Sequence, residues 1–132
     1  MSRLIILLTF LFSSSVVNAA PIEILCRIKG TGQRTFVLDS GFWSSSVMFK
    51  AGSGKLTEWC KENADQSVKF GKKKAMCNFS GIRRGGMLIW GTTTVDFQKP
   101  SWMMRYRFAK PNQTYKDSAP GGRELATCVH KK

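Results

Sequence analysis

Histidine is all but missing from this sequence: His130, two residues from the end, is the single one. Imidazole is the commonest general acid–base and a frequent metal ligand, so a site built on several of them is excluded. There is no Cys-x-x-Cys either, which argues against a zinc centre and against a thioredoxin-like redox pair. Gly-x-Ser-x-Gly, His-Glu-x-x-His, the phosphate-binding Gly-x-x-x-x-Gly-Lys-Ser/Thr and the dinucleotide fingerprint are absent as well. No metal and no cofactor are therefore expected. No internal repeat is evident. After the first twelve residues no apolar run is long enough to cross a bilayer, so no permanent membrane anchor is expected. Acidic residues are the other shortage: 8 Asp and Glu face 21 Lys and Arg, a formal charge of +13 over 132 residues. Such an imbalance speaks to partners and solubility rather than to fold. It favours anionic polymers or a membrane surface, and it equally serves as a solvated exterior.

The N-terminus is the most specific stretch present. Met1-Ser2-Arg3 is a short positive start, Leu4 to Phe12 is an almost unbroken apolar run, and Val17-Asn18-Ala19 offers a cleavage site after Ala19. That three-part order reads as a signal peptide over residues 1–19, with residues 20–132 as a single domain, secreted or periplasmic. The domain would begin at Ala20 and, having lost Arg3, carry a charge of about +12. Four cysteines remain, Cys26, Cys60, Cys77 and Cys128. An even count in a small exported domain reads as two disulfides, of which three pairings exist. The preferred pairing is Cys26 with Cys128, joining terminal strands, and Cys60 with Cys77, closing a local loop. Each would stabilise the fold by roughly 2–4 kcal/mol.

Most of residues 20–132 carries period-two hydrophobicity. Ile22, Ile24, Cys26 and Ile28 share one face of a first strand, and Phe36 and Leu38 share one face of a second. Gly30-Thr31-Gly32 turns between them into a hairpin. Phe42-Trp43, beside a serine run, reads either as an exposed aromatic platform or as the cap of a barrel. Val47 to Lys50 is a short strand. Ser53 to Ala64 reads as the one helix, with Ser53 as cap and Leu56, Trp59, Cys60 and Asn63 on one side. Val68 and Phe70 begin a further strand, Lys72, Lys73 and Lys74 tip a hairpin, and Cys77 and Phe79 lie on the strand after it. Gly81 to Gly86, with Arg83 and Arg84, reads as a second basic, glycine-rich turn. Such loops can approach a phosphate closely or simply reverse the chain.

The clearest unit spans Met87 to Phe108. With Gln98-Lys99-Pro100-Ser101 as turn, Phe97 would face Trp102, Val95 would face Met104 and Thr93 would face Tyr106. Arg105 and Arg107 would then share the reverse face, about 7 Å apart, with Asp96 diagonal to Arg105. Lys110 to Gly122 reads as a loop held down by Tyr115, and Arg123 to His130 as the last strand. Asn78-Phe79-Ser80 and Asn112-Gln113-Thr114 match the glycosylation triplet. The whole reads as all-β: an antiparallel meander, a small barrel or sandwich, with one short helix and two disulfides.

The order of a strand bearing Cys26, a strand bearing Trp90, one bearing Tyr106 and a late one bearing Cys128 resembles small uncharacterised secreted bacterial β-meander proteins. The resemblance covers the outer strands and implies no activity and no site residue.

Three functions compete. The charge favours a binding module for an anionic glycan, lipid head group or nucleic acid, with Lys72, Lys73, Lys74, Arg83, Arg84, Arg105 and Arg107 as anion-binding residues. A secreted hydrolase such as a nuclease would need a poised acid or base, and Glu23, Glu124 and His130 are the candidates if the terminal strands pair. A protein-interaction, inhibitor or antimicrobial-like domain is the third. Binding is favoured over catalysis, no catalytic residue is assigned, and no signal for an oligomeric state is present.

Overall fold

A computed structural model describes residues 20–40 and 45–132. The stretch read as a signal peptide and the Phe42-Trp43 pair lie outside the described residues. Nine strands follow one another: β1 (Ile22–Ile28), β2 (Gly32–Ser40), β3 (Ser45–Ala51), β4 (Thr57–Glu58), β5 (Gln66–Gly71), β6 (Lys74–Arg84), β7 (Met87–Asp96), β8 (Ser101–Ala109) and β9 (Ala119–His130). All pairings are antiparallel, and the order across the sheet is β4-β3-β2-β1-β9-β8-β7-β6-β5. The sheet curls into a half-barrel. The meander expected from the alternation is the fold.

The inner face follows the alternation. Ile24, Cys26 and Ile28 from β1 meet Phe36 and Leu38 from β2, Val95 from β7, Trp102 and Met104 from β8, and Ala126 and Cys128 from β9. Phe36, Phe97, Ile24, Val95 and Cys26 are the largest fully buried side chains. Two four- and five-strand halves are joined where β1 meets β9, and there the ladder is only three residue pairs long: Ile24–His130, Leu25–Val129 and Cys26–Cys128. The third pair is a disulfide, Cys26–Cys128. The free edges of the two halves are β4 and β5, consecutive in the chain. Residues 59–65 run between them, and the second disulfide, Cys60–Cys77, ties that segment to β6. Val68 and Phe70 of β5 share a small cleft with Ser45–Val47 and Glu58–Cys60, so the edges approach without a ladder. Each covalent bond therefore clamps one of the two junctions between the halves.

Three expectations need correction. Residues 53–64 form no helix: only Thr57–Glu58 is regular, and it pairs with β3. The helical pattern rested on few apolar positions, and tertiary bonds override it. The Trp59 amide donates to the Val47 carbonyl at 3.0 Å, the Trp59 ring sits edge-on to Phe36 at 6.2 Å, and Cys60 is buried at its disulfide. The Asn63 side chain accepts from the amides of Asp65 and Gln66 at 2.8 and 2.9 Å, a local turn that competes with helix. Leu56, assigned to the helix face, is exposed. The one helical turn among the described residues is a 3-10 turn at Tyr115–Asp117.

The β7–β8 register differs from the expected one by two residues, with a turn of the same length one position earlier: Val95 faces Trp102, Thr93 faces Met104 and Gly91 faces Tyr106. An even shift preserves the inward face, which is why the alternation could not detect it. Phe97 enters the turn, fully buried, with its amide bonded to the Lys73 carbonyl at 2.8 Å. Finally, β6 runs through Gly81 to Arg84 with a bulge between Phe79 and Ile82, so the turn is Gly85-Gly86 alone.

Candidate functional site

The seven basic positions singled out by charge do not converge. Lys72 and Lys73 are the turn between β5 and β6, and Lys73 has left-handed backbone at φ 52°. Lys74 is committed to Asp96 at 3.7 Å. Arg83 and Arg84 end the same strand ten residues on, roughly 33 Å away by strand rise. The two basic stretches, close in sequence, thus lie at opposite ends of β6.

Arg105 and Arg107 do share the outer face of β8, as expected, and the neighbouring strands complete a grid around them. Trp90 faces Arg107 and Thr92 faces Arg105 on the β7 side. On the β9 side Arg107 faces Pro120 and Arg105 faces Arg123. These side chains, with Tyr115 and Gly122, line an open cleft of about 510 Å³. Arg123 was not singled out by charge. It becomes visible once β9 is laid antiparallel to β8, because two arginines then stand directly across from one another.

That arrangement carries a repulsion. Directly opposed side chains on neighbouring strands lie about 5 Å apart at Cβ, and like charges there repel. All eight carboxylate side chains belong to the described residues. Two of them make ion pairs, Glu23 with Lys131 and Asp96 with Lys74, and none pairs with Arg105, Arg107 or Arg123. Asp96, expected diagonal to Arg105, sits across from Ser101 at the far end of the hairpin. Its carboxylate also accepts from the amides of Gln98 and Lys99.

The three arginines have different duties. Arg107 is half-buried; its Nε donates to the Ser118 hydroxyl at 2.9 Å and its Nη2 to the Ser118 carbonyl at 2.7 Å. Its guanidinium lies 5.5 Å from the centre of the Tyr115 ring, which meets Trp90 edge-on at 5.8 Å. Arg107 thus braces the β8–β9 connection and places Tyr115. Arg105 and Arg123 are exposed and carry no such bonds among the described residues, so their forks are free. The 3-10 turn is secured by Asp117, whose carboxylate accepts from the Thr114 amide and hydroxyl at 3.1 and 3.0 Å. Those bonds, the amide first and the hydroxyl second, hold its pKa below the ordinary carboxylate value.

Two glycines allow the strands to close up here. A Cβ at Gly91 would fall on the Arg105 carbonyl oxygen, and one at Gly121 on the Tyr106 ring. Gly121 is the extra residue of a bulge that separates Pro120, facing Arg107, from Gly122, facing Tyr106. The bulge lets the strand bend beside the cleft.

The hydrolytic candidates are not brought together. The terminal strands pair, yet Glu23 sits beside Lys131 and Glu124 is seven positions earlier on β9, roughly 23 Å along the strand. The His130 Nε2 donates to the Phe97 carbonyl at 2.7 Å, which ties the ring into the sheet. Of the two glycosylation triplets, Asn112 is exposed, whereas the Asn78 side chain accepts from Thr92 at 2.9 Å. Comparison with protein-family models, with curated proteins and with solved structures returns no match.

Proposed function

We propose that this protein is an exported binding module for an anionic partner, and that the outer-face cleft of β7, β8 and β9 is its contact surface. The observation that carries the proposal is the direct opposition of Arg105 and Arg123 with no carboxylate at either. A bound phosphate, sulfate or carboxylate group would relieve their repulsion, and guanidinium forks match such planar or tetrahedral anions. Trp90 and Tyr115 flank the pair with aromatic surface. Two disulfides are compatible with an oxidising compartment. Among the described residues no helix is long and apolar enough to cross a membrane.

Binding to heparin, single-stranded DNA and phosphatidylglycerol vesicles at two salt concentrations tests the reading. Arg105→Gln with Arg123→Gln should weaken the preferred partner by about tenfold or more. It should also lower the slope of log affinity against log salt by roughly one to two. Arg107 is left intact because it braces the loop. Undiminished binding of the double variant to the whole panel would remove the cleft from consideration.

A further inference from the structure

The curl of the sheet creates a second site, at the end of the half-barrel where Gly85-Gly86 and the β1–β2 turn lie. The aromatic cluster Phe36, Phe49 and Trp59 forms one wall of a cavity of about 270 Å³, and Trp102 and Met104 form its base. Phe36 and Phe49 stack with ring centres 6.0 Å apart, and Trp59 meets Phe36 edge-on, so the wall is packed before any ligand arrives. An adjoining cleft of about 280 Å³ shares Thr31, Arg84, Met104 and Glu124 with it. Together they approach the size of small-molecule sites, which occur at barrel mouths.

The lining is mixed: Thr31 and Thr93 add hydroxyls, Lys29 stands in the adjoining cleft, and the charged groups of the cavity come from distant parts of the chain. Arg34 belongs to β2 and Arg84 to the end of β6, on opposite halves of the sheet, and Glu124 comes from β9. No ion pair joins Glu124 to either arginine. Arg34 spends one Nη1 donor on the Gln33 carbonyl at 3.0 Å and keeps the rest of its fork. Around the 270 Å³ cavity itself two cations and one anion leave one net positive charge; the third cation, Lys29, lines only the adjoining cleft. A monoanion held between Arg34 and Arg84 fits the cavity's own balance.

We infer that the barrel mouth binds a small amphipathic monocarboxylate, with its apolar body against Trp59, Trp102 and Met104 and its carboxylate between Arg34 and Arg84. The site is separate from the outer-face cleft: the two share Tyr106 as a lining residue only between that cleft and the adjoining one. It stands whether or not the outer face binds a polyanion.

Decanoate, used below its micelle concentration, is the probe, and 1-decanol is the uncharged control. Tryptophan fluorescence of the intact disulfide-bonded protein should change saturably with decanoate, and Trp59→Phe should remove most of the change. Decanol should bind at least tenfold more weakly. Arg34→Gln with Arg84→Gln should weaken decanoate at least tenfold while leaving the thermal midpoint as in the parent and lowering heparin affinity far less than Arg105→Gln with Arg123→Gln does. Arg105→Gln with Arg123→Gln should leave decanoate binding untouched. Absence of saturable decanoate binding, equal binding of decanol, or an Arg34/Arg84 double variant that binds like the parent would each overturn the inference.

Discussion

The outer-face cleft and the barrel mouth both pair arginines with aromatic surface, but they are assembled in different ways. Arg105, Arg107, Arg123, Trp90 and Thr92 come from three strands that are neighbours in the sheet and consecutive in the chain. Their meeting follows from local register. The mouth draws on β1, β2, β3, the segment after β4, β6, β7, β8 and β9, and it depends on the curl of the sheet, whose halves the β1–β9 ladder and two disulfides join. A ladder can thus place charges with short-range order alone, whereas a cavity depends on curvature integrated over the whole sheet.

The largest effect that separates the two regions should come from the disulfides. Cys26→Ala with Cys128→Ala opens a span of 102 residues and should lower stability by roughly 4–5 kcal/mol in denaturant unfolding; Cys60→Ala with Cys77→Ala, a span of 17, should lower it by roughly 3 kcal/mol. The second variant releases the segment bearing Trp59, so it should cut decanoate binding sharply and leave heparin binding near that of the parent. Parallel loss of both would mean that the two regions form one cooperative unit.

Gly91→Ala is the converse test. Its Cβ meets backbone rather than a movable side chain, so β7 and β8 must part beside Arg105. A loss of roughly 1–3 kcal/mol is expected by thermal or denaturant unfolding. Heparin affinity should fall and the mouth should keep its probe. A smaller effect sharpens the distinction between held and mobile charge. Lys72→Gln with Lys73→Gln removes cations from a turn tip, so association with heparin should slow by a few-fold at low salt while dissociation stays the same. Stopped-flow measurements of both rates would distinguish this from Arg105→Gln with Arg123→Gln, which should act mainly on dissociation.

The smallest effect is that of acid. The Asp117 pKa lies below its ordinary 3.8, so its contribution to stability is complete above that value and is lost as pH falls through the lowered one. Below pH 3.8 the 3-10 turn should loosen and the Tyr115–Trp90 contact should weaken, seen as a shift in tryptophan emission that Asp117→Asn shows already at neutral pH. The mouth lacks this carboxylate and should show no matching step from it.

Legibility in the sequence followed the range of the interactions. The strand carrying Ile24, Cys26 and Ile28 and the one carrying Trp102 and Met104 could be read because period two reports burial directly. The shared face of Arg105 and Arg107 came with it. The two-residue error in the β7–β8 register left no trace in the pattern, because an even shift exchanges one inward residue for another. Arg123 was hidden because its significance lies across a strand pair. The expected helix over residues 53–64 failed because Trp59 and Cys60 answer to Val47, Phe36 and Cys77, none of them a helical neighbour.

By itself the sequence determined the all-β class, the inward face of most strands, the basic character and the scarcity of histidine, since composition and alternation act residue by residue. Tertiary structure alone decided that the Lys72–Lys73 turn and the Arg83–Arg84 strand end lie at opposite ends of β6, that Arg105 confronts Arg123, and that Arg34 and Arg84 share a cavity. These depend on strand order, register and curl, which arise from packing the whole inner face at once and have no signature in any single stretch of chain.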